Sequence, residues 1–158
     1  MKKLSHVDSS GDARMVDVGA KPVSERFARA TGSIRMKPDT YRAIQQNAVV
    51  KGDVLGVAKI AGIMAAKRTS ELIPLCHPIS LTDVQVMLTL DESLPGVTCE
   101  VTTRTNDRTG VEMEAITAVA VCLTTVYDMA KSIDRTMTIT DIRLLEKDGG
   151  RSGHFVHP

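Results

Sequence analysis

Apolar and polar residues alternate along four stretches of the chain. Over residues 27–36, small and apolar side chains alternate with arginine, serine and threonine, a period that indicates a strand with one buried face. The same alternation returns over 81–90, 97–105 and 135–146. The turn-forming residues 91–96 lie between the second and third of these stretches and predict a hairpin. The pattern therefore predicts four strands, two of them joined directly.

Three other segments have apolar residues at helical spacing. Pro38 suits the first turn of a helix that runs to about Asn47, and Gly52 precedes a second helix over 53–67. Residues 112–133 form the longest such segment and predict the central helix. The resulting order of elements predicts an α+β fold of the ferredoxin-like split βαβ type, a four-stranded antiparallel sheet with helices packed on one face.

The two ends of the chain differ from the middle. Residues 1–25 are rich in charge with little periodicity, and we expect them to form a mobile N-terminal arm. Residues 148–158 begin with a glycine-rich stretch and predict a flexible C-terminal tail. Residues 26–147 are expected to form a single domain, because 158 residues suit one domain of ordinary size.

Composition excludes several classes of function. Lysine and arginine number 20 against 19 aspartate and glutamate, so the overall charge does not favour nucleic acid or an anionic membrane as a partner. The N-terminus lacks the apolar stretch of a signal peptide, and we expect a cytoplasmic protein. Cys76, Cys99 and Cys122 do not have zinc-ligand spacing. They are expected to be reduced thiols that act as small apolar side chains.

Charged residues bracket the apolar central segment. Glu112 and Glu114 lie at its start, and Asp128 and Lys131 lie at its end. Buried charges are costly unless they are paired or used, which makes this cluster a candidate site of chemistry. The simpler alternative for Asp128 and Lys131 is a surface ion pair one helical turn apart. Glu114 and Asp128 are fourteen residues, or about 21 Å, apart along a helix. If both ends serve one small substrate, the second must come from another subunit.

Four segments, taken in their order and spacing, resemble the MoaC family. They are residues 51–55, 69–78, 110–115 and 127–131. The resemblance implies a ferredoxin-like fold and a homohexamer, a trimer of dimers with an active site at each dimer interface. It also implies a lyase of molybdenum cofactor biosynthesis. The expected reaction converts 3′,8-cyclo-7,8-dihydroguanosine 5′-triphosphate into cyclic pyranopterin monophosphate and pyrophosphate.

The resemblance also implies roles for individual residues. Asp128 and Lys131 match the acid/base pair of the family, and Lys51 matches a lysine needed for the same rearrangement. The residues expected to contact the substrate are Leu75, Cys76, His77, Glu112, Met113 and Glu114. Pro74 and Pro78 would hold the loop around His77 rigid.

Three further cations are candidates for binding the triphosphate. They are Lys21, Arg26 and Arg104, for which the alternative is solvated surface charge. We expect the arm carrying Lys21 and Arg26 to meet the His77 loop at the triphosphate end of the pocket and to become ordered when phosphate binds. No metal or cofactor is expected; Mg²⁺ could accompany the triphosphate, but no residue pattern supports it.

Two other functions fit the same residues. Ferredoxin-like domains often bind regulatory small molecules, so a non-catalytic ligand-binding module is one rival. An enzyme acting on a different nucleotide is the other. The position of Lys131 one turn from Asp128 favours an enzyme, because a binding site needs cations near phosphate but does not need that pairing.

Overall fold

The computed structural model describes residues 10–158. Its elements, in chain order, are β1 Ser24–Arg35, α1 Pro38–Gln45, α2 Val54–Lys67, α3 Thr69–Leu72, β2 Leu81–Asp91, β3 Gly96–Asp107, α4 Glu112–Ala130, β4 Thr138–Asp148 and β5 Phe155–Val156. Each predicted strand and helix is found within about three residues of its expected bounds, whereas α3 and β5 were not predicted. Residues 1–9 of the predicted arm lie outside the described residues.

The strands form one antiparallel sheet in the order β2-β3-β1-β4-β5. In this order β1 lies between β3 and β4, and each of its neighbours runs antiparallel to it. Strands β3 and β4 lie on opposite sides of β1 and are connected through α4. The topology is therefore the predicted split βαβ arrangement. The α+β, ferredoxin-like class is confirmed.

The sheet has five strands where the sequence pattern predicts four. The additional strand β5 pairs Phe155 and Val156 with Lys147 and Glu146 of β4. Next to it, the His157 N–H donates to the Leu145 carbonyl at 2.8 Å. These bonds occupy backbone groups that an edge strand would otherwise leave unpaired. Flexibility of the tail over 148–158 stays a prediction, although part of it is paired.

The core lies between one face of the sheet and the helices. Ala28, Ala30 and Ile34 of β1 are fully buried on this face, as are Val97 and Val101 of β3. Their spacing of two or four residues is the alternation that the sequence shows, so the predicted faces are correct. Helix α4 packs on β1, β3 and β4, and α2 packs beside it over β2.

Helices α2 and α4 approach closely at one glycine. A Cβ atom on Gly62 would lie 2.2 Å from Cys122 Sγ and 3.3 Å from the carbonyl oxygen of Ala118. The Cys122 thiol donates to the Ala58 carbonyl of α2 at 3.2 Å. Cys99 and Cys122 are free and buried, as predicted.

Helix α4 is long and apolar enough to cross a membrane by composition alone. However, 56% of that segment is buried inside the domain. Its apolar side chains therefore belong to the core between the sheet and α2, and the helix gives no indication of a membrane protein.

Candidate active site

Three predicted catalytic residues meet at the C-terminal end of α4. The Lys51 ammonium group donates to Asp128 Oδ2 and to the Asp128 backbone carbonyl, both at 2.8 Å. The Lys131 Nζ atom lies 2.7 Å from Asp128 Oδ1. Lys131 is adjacent because it follows the last turn of α4, whereas Lys51 comes from the loop before α2. The carboxylate of Asp128 is thus held between two ammonium groups.

The two lysines determine the protonation of the aspartate. Hydrogen bonds from Lys131 and then Lys51 lower the pKa of Asp128 to about 2. At neutral pH the carboxylate is therefore ionised and is a weak proton acceptor. In this arrangement Asp128 holds the side chains of both lysines in place, and the expected acid/base role of Asp128 with Lys131 stays a prediction.

The other predicted residues gather at the N-terminal end of α4. A cavity of about 250 Å³ has residues of the N-terminal arm and of two further segments in its lining. The first segment is Leu75, Cys76 and His77 from the loop after α3, and the second is Glu112, Met113 and Glu114 from α4. The structure thus brings together all six residues that were expected to contact the substrate. Two prolines flank the first segment, which restricts the backbone that presents it.

Glu114 is the most unusual titratable group of this cavity. Its side chain is buried, with 4% of the residue exposed. Burial raises the pKa of Glu114 to about 7, and the charge of Glu112 adds to the rise. Burial and the Glu114 charge also raise the pKa of the Cys76 thiol. Cys76 is therefore a neutral thiol, while Glu114 can bind or release a proton near neutral pH.

His77 joins the loop to the N-terminal arm. Its Nε2 atom lies 2.7 Å from the carbonyl oxygen of Val16. A carbonyl oxygen only accepts hydrogen bonds, so Nε2 carries the proton. In the neutral ring, Nδ1 is then free to accept a hydrogen bond. The arm and the loop are in contact, but the contact lies beside Glu114 and not at the expected triphosphate end with Arg26. Mobility of the arm over 1–25 and its ordering by phosphate stay predictions.

The cavity continues into a second, basic one. Lys21, Thr109, Gly110 and Glu112 line both this cavity and a neighbouring cavity of about 430 Å³. Because the two cavities share these residues, they form one cleft, which we call the α4 cleft. One end has Glu114 and the His77 loop, and the other end has Arg26.

Two of the three predicted phosphate ligands lie in the α4 cleft and the third does not. Lys21 and Arg26 line its basic end. Arg104 instead lies over the Phe27 ring at 4.8 Å and 3.4 Å from Glu25. The reason is strand phase: from Val97 onward the buried residues of β3 have odd numbers, so Arg104 faces away from the helices. Within one chain the expectation that Arg104 joins Lys21 and Arg26 is not met.

Sequence reasoning did not identify three other cations near the cleft. Arg108 and Arg151 line its basic end, and Lys147 Nζ lies 4.0 Å from Glu112 Oε1 with only 12% of its side chain exposed. The pairing of β1 with β4 shifts at Leu145, which puts Lys147 on the helix-covered face opposite Ala28. A bulge changes the side-chain phase, so simple alternation could not have placed Lys147. Arg108 could have been proposed as a cation of the site, because it lies two residues before Gly110 in the segment that leads into α4.

A metal centre does not emerge from the part of the chain that the structure describes. Residues 10–158 contain no group of three or more His, Cys, Asp or Glu side chains arranged to hold a metal ion. The expectation that the protein needs no resident metal stays a prediction.

The fold and the site define a class of protein, a ferredoxin-like α+β domain in which a cluster of two lysines and an aspartate lies at one end of the central helix. A cleft with cations along part of its lining lies at the other end. The chain belongs to the MoaC family, whose model matches residues 15–150. A relative from Cereibacter sphaeroides is 54% identical over 155 residues, 98% of each chain. One from Brucella ovis is 56% identical over 153 residues, 97% of this chain and 93% of the relative. Both relatives are named cyclic pyranopterin monophosphate synthase.

Proposed function

We propose that the protein converts 3′,8-cyclo-7,8-dihydroguanosine 5′-triphosphate into cyclic pyranopterin monophosphate and pyrophosphate, as a lyase of molybdenum cofactor biosynthesis. The observation that carries the proposal is the division of the α4 cleft. A carboxyl group with a pKa near neutrality lies at one end, and cations lie at the other. Such a cleft suits a ligand with a guanine-derived ring system at one end and a triphosphate at the other.

The carboxyl end would bind the ring system. A guanine-like edge presents an amino group and a ring N–H, and an ionised carboxylate can accept hydrogen bonds from both. Glu114 is the buried carboxyl available for this contact, with Met113 and the His77 loop beside it. Binding these donors favours the ionised form of Glu114, so substrate binding should release a proton from this residue.

The cluster around Asp128 would carry the proton transfers. Opening a purine-derived ring and closing a pyrazine ring both require protons to move at nitrogen and carbon atoms. Lys51 and Lys131 can donate them, and Asp128 holds both ammonium groups in place. Closure of the cyclic phosphate as pyrophosphate leaves also develops negative charge, which cations stabilise.

The proposal includes a homohexamer, arranged as a trimer of dimers with each site at a dimer interface. The length of α4, which separates the two clusters by about 21 Å in one chain, supports a site shared by two subunits, and the grouping of three dimers rests on the resemblance to the family alone. Two subunits related by a two-fold axis would bring opposite ends of this helix together. We further propose a cytoplasmic enzyme that requires no cofactor of its own, with Mg²⁺ entering only as a counterion of the triphosphate.

Direct assay of the purified protein tests this function. It should release pyrophosphate and form a pterin product from the cyclic dihydroguanosine triphosphate, but should not convert GTP, which lacks the 3′,8 bond. Assays with and without EDTA would show whether the metal contributes. Tight binding of the substrate without any product would instead support a ligand-binding module, and turnover of GTP itself would support an enzyme for a different nucleotide.

A further inference from the structure

The helix-facing side of β3 changes from apolar to polar along the strand. Val97, Cys99 and Val101 are fully buried there, and so are Thr103 and Thr105 at the next two inward positions. A buried hydroxyl costs free energy unless it makes a hydrogen bond, whereas valine has the shape of threonine and no polar group. Two threonines where valine would fill the same space therefore indicate that their hydroxyl groups have a role.

Thr105 holds the end of the loop that carries His77. Its hydroxyl donates to the carbonyl oxygen of Ser80 at 2.6 Å. Ser80 is the third residue after His77, and its own side chain is exposed. The bond therefore joins the backbone of a surface loop to the buried face of the sheet. It limits how far the loop can move away from β3.

Thr103 holds the start of α4 in a similar way. Its hydroxyl donates to the carbonyl oxygen of Val111 at 3.0 Å, and Val111 directly precedes the first residue of the helix. The bond that the helix itself makes to this carbonyl, from the Ala115 N–H, is longer at 3.5 Å. Valine also has no side-chain group that could cap the helix. The Thr103 hydroxyl is thus the closer of these two donors to the carbonyl from which α4 begins.

The two anchored segments are the two sides of one cavity. Residues 75–77 belong to the loop that Thr105 holds, and residues 112–114 belong to the helix start that Thr103 holds. Residues two apart in a strand point to the same face and lie about 7 Å apart. Strand β3 pairs with β1 on one side and β2 on the other, so it is a rigid base for both anchors.

We infer that Thr103 and Thr105 are positioning residues that set the distance between the Glu114 side and the His77 side of the α4 cleft. Both are fully buried and act through the segments that they hold. Given the proposed function, on which this role rests, they affect binding of the guanine-derived ring system and not the proton transfers at the lysine cluster. Loss of either hydroxyl should raise KM and leave kcat nearly unchanged.

Thr105→Val tests the loop anchor, because it keeps the shape of the side chain and removes the hydroxyl. We expect KM for the cyclic nucleotide to rise about fivefold, the effect of one neutral hydrogen bond, with kcat within about twofold of wild type. Thr105→Ser keeps the hydroxyl and should restore KM.

Thr31→Val is the matched control. The Thr31 hydroxyl is also buried and donates to a backbone carbonyl, that of Cys99, at 3.0 Å. This bond lies within the sheet and holds neither side of the cleft. Thr31→Val should lower the melting temperature about as much as Thr105→Val does, but it should leave KM unchanged.

Alkylation of Cys76 by iodoacetamide measures the loop without any substrate. Cys76 is partly exposed, whereas Cys99 and Cys122 are buried, so the reagent should reach Cys76 first. Peptide mass spectrometry would confirm the labelled residue. In Thr105→Val the loop should open more often and the rate should rise about threefold or more. Thr105→Ser and Thr31→Val should react at the wild-type rate.

Thr103→Val makes the same test at the helix start. KM should again rise about fivefold with little change in kcat. Hydrogen exchange of the Ala115 N–H, measured by NMR, should become faster because its acceptor is less firmly held. The alkylation rate of Cys76 should stay at the wild-type value, since the loop anchor is intact.

The outcomes separate this role from the proposed function. Valine variants with wild-type KM would overturn the inference, and so would an equal rise in KM for Thr31→Val, which would show a general effect of lost stability. If Thr105→Val changes the alkylation rate as expected while the wild type does not convert the cyclic nucleotide, the loop anchor stands and the proposed reaction fails.

Discussion

At the scale of single residues, Glu114 combines burial with a predicted functional role. Its pKa of about 7 means that the folded chain retains a proton that the unfolded chain loses near pH 4.5. Below pH 4.5 the carboxyl group is protonated in both states and has no effect. Between pH 4.5 and 7 the unfolded state binds fewer protons, so stability falls as pH rises, by about 3 kcal/mol in total.

We therefore predict that Glu114→Gln stabilises the protein at pH 8 and changes little at pH 4.5. The amide keeps the shape of the side chain and removes the ionisation that burial opposes. Thermal unfolding measured across pH 4 to 8 should show a flatter profile for the variant, with a gain of several degrees at pH 8. The same variant should bind substrate more weakly, because Gln offers one acceptor where a carboxylate offers two. Identical pH profiles for variant and wild type would show that Glu114 titrates normally.

For the lysines around Asp128 we predict a loss of activity with little change in stability. Side chains of Lys51 and Lys131 are 43% and 50% exposed, so their ion pairs contribute little to stability. Lys51→Ala or Lys131→Ala should lower kcat by about 100-fold or more while shifting the melting temperature by no more than about 3 °C. The Arg42 and Asp39 pair is also exposed and spaced three residues apart, so Arg42→Ala should change neither quantity. Parallel losses of activity and stability would indicate a structural role for the lysines.

The limits of sequence reasoning differ among these residues. Asp128 and Lys131 are neighbours by helical spacing alone, and their contact was predictable. Lys51 is 77 residues from Asp128 in the chain, and only the resemblance to a family linked them. Lys147 reaches Glu112 because a bulge at Leu145 changes the phase of β4, an event without a local sequence signal.

At the scale of elements, the apolar periodicity of the sequence was sufficient to predict each strand and helix that buries a continuous face. The strands β1 to β4 and helices α1, α2 and α4 follow their apolar patterns closely. Helix α3 has four residues and β5 has two, too few for any pattern to be read. The pairing of β5 depends on the free edge of β4, which is a property of the tertiary structure.

The contact between α2 and α4 gives a prediction at this scale. Gly62→Ala should destabilise the protein by about 1 to 3 kcal/mol, because the added methyl group would overlap Cys122 Sγ. Denaturant unfolding would measure the loss. Adding Cys122→Ala should recover part of it, so the two changes should be favourably coupled in a double-mutant cycle. Additive losses would mean that the helices move apart and that the contact at Gly62 is not tight.

At the scale of the whole molecule, the proposed function requires two distant clusters to act on one substrate. Lys51, Asp128 and Lys131 lie at the C-terminal end of α4, and the α4 cleft lies at its N-terminal end. The length of the helix excludes direct cooperation within one chain. The proposed reaction therefore requires sites that combine the cleft of one subunit with the lysine cluster of another.

Subunit complementation tests this central claim most directly. Glu114→Ala disables the cleft and Lys131→Ala disables the cluster, so each variant alone should have little activity. In hybrids formed by co-expression, sites that combine the intact cleft of one subunit with the intact cluster of the other should restore about a quarter of wild-type kcat/KM. A mixture of Lys51→Ala and Lys131→Ala is the control, because every site would then lack one lysine and should stay inactive. Failure of the first mixture to exceed the control, with hybrid oligomers shown to be present, would contradict a site shared between subunits.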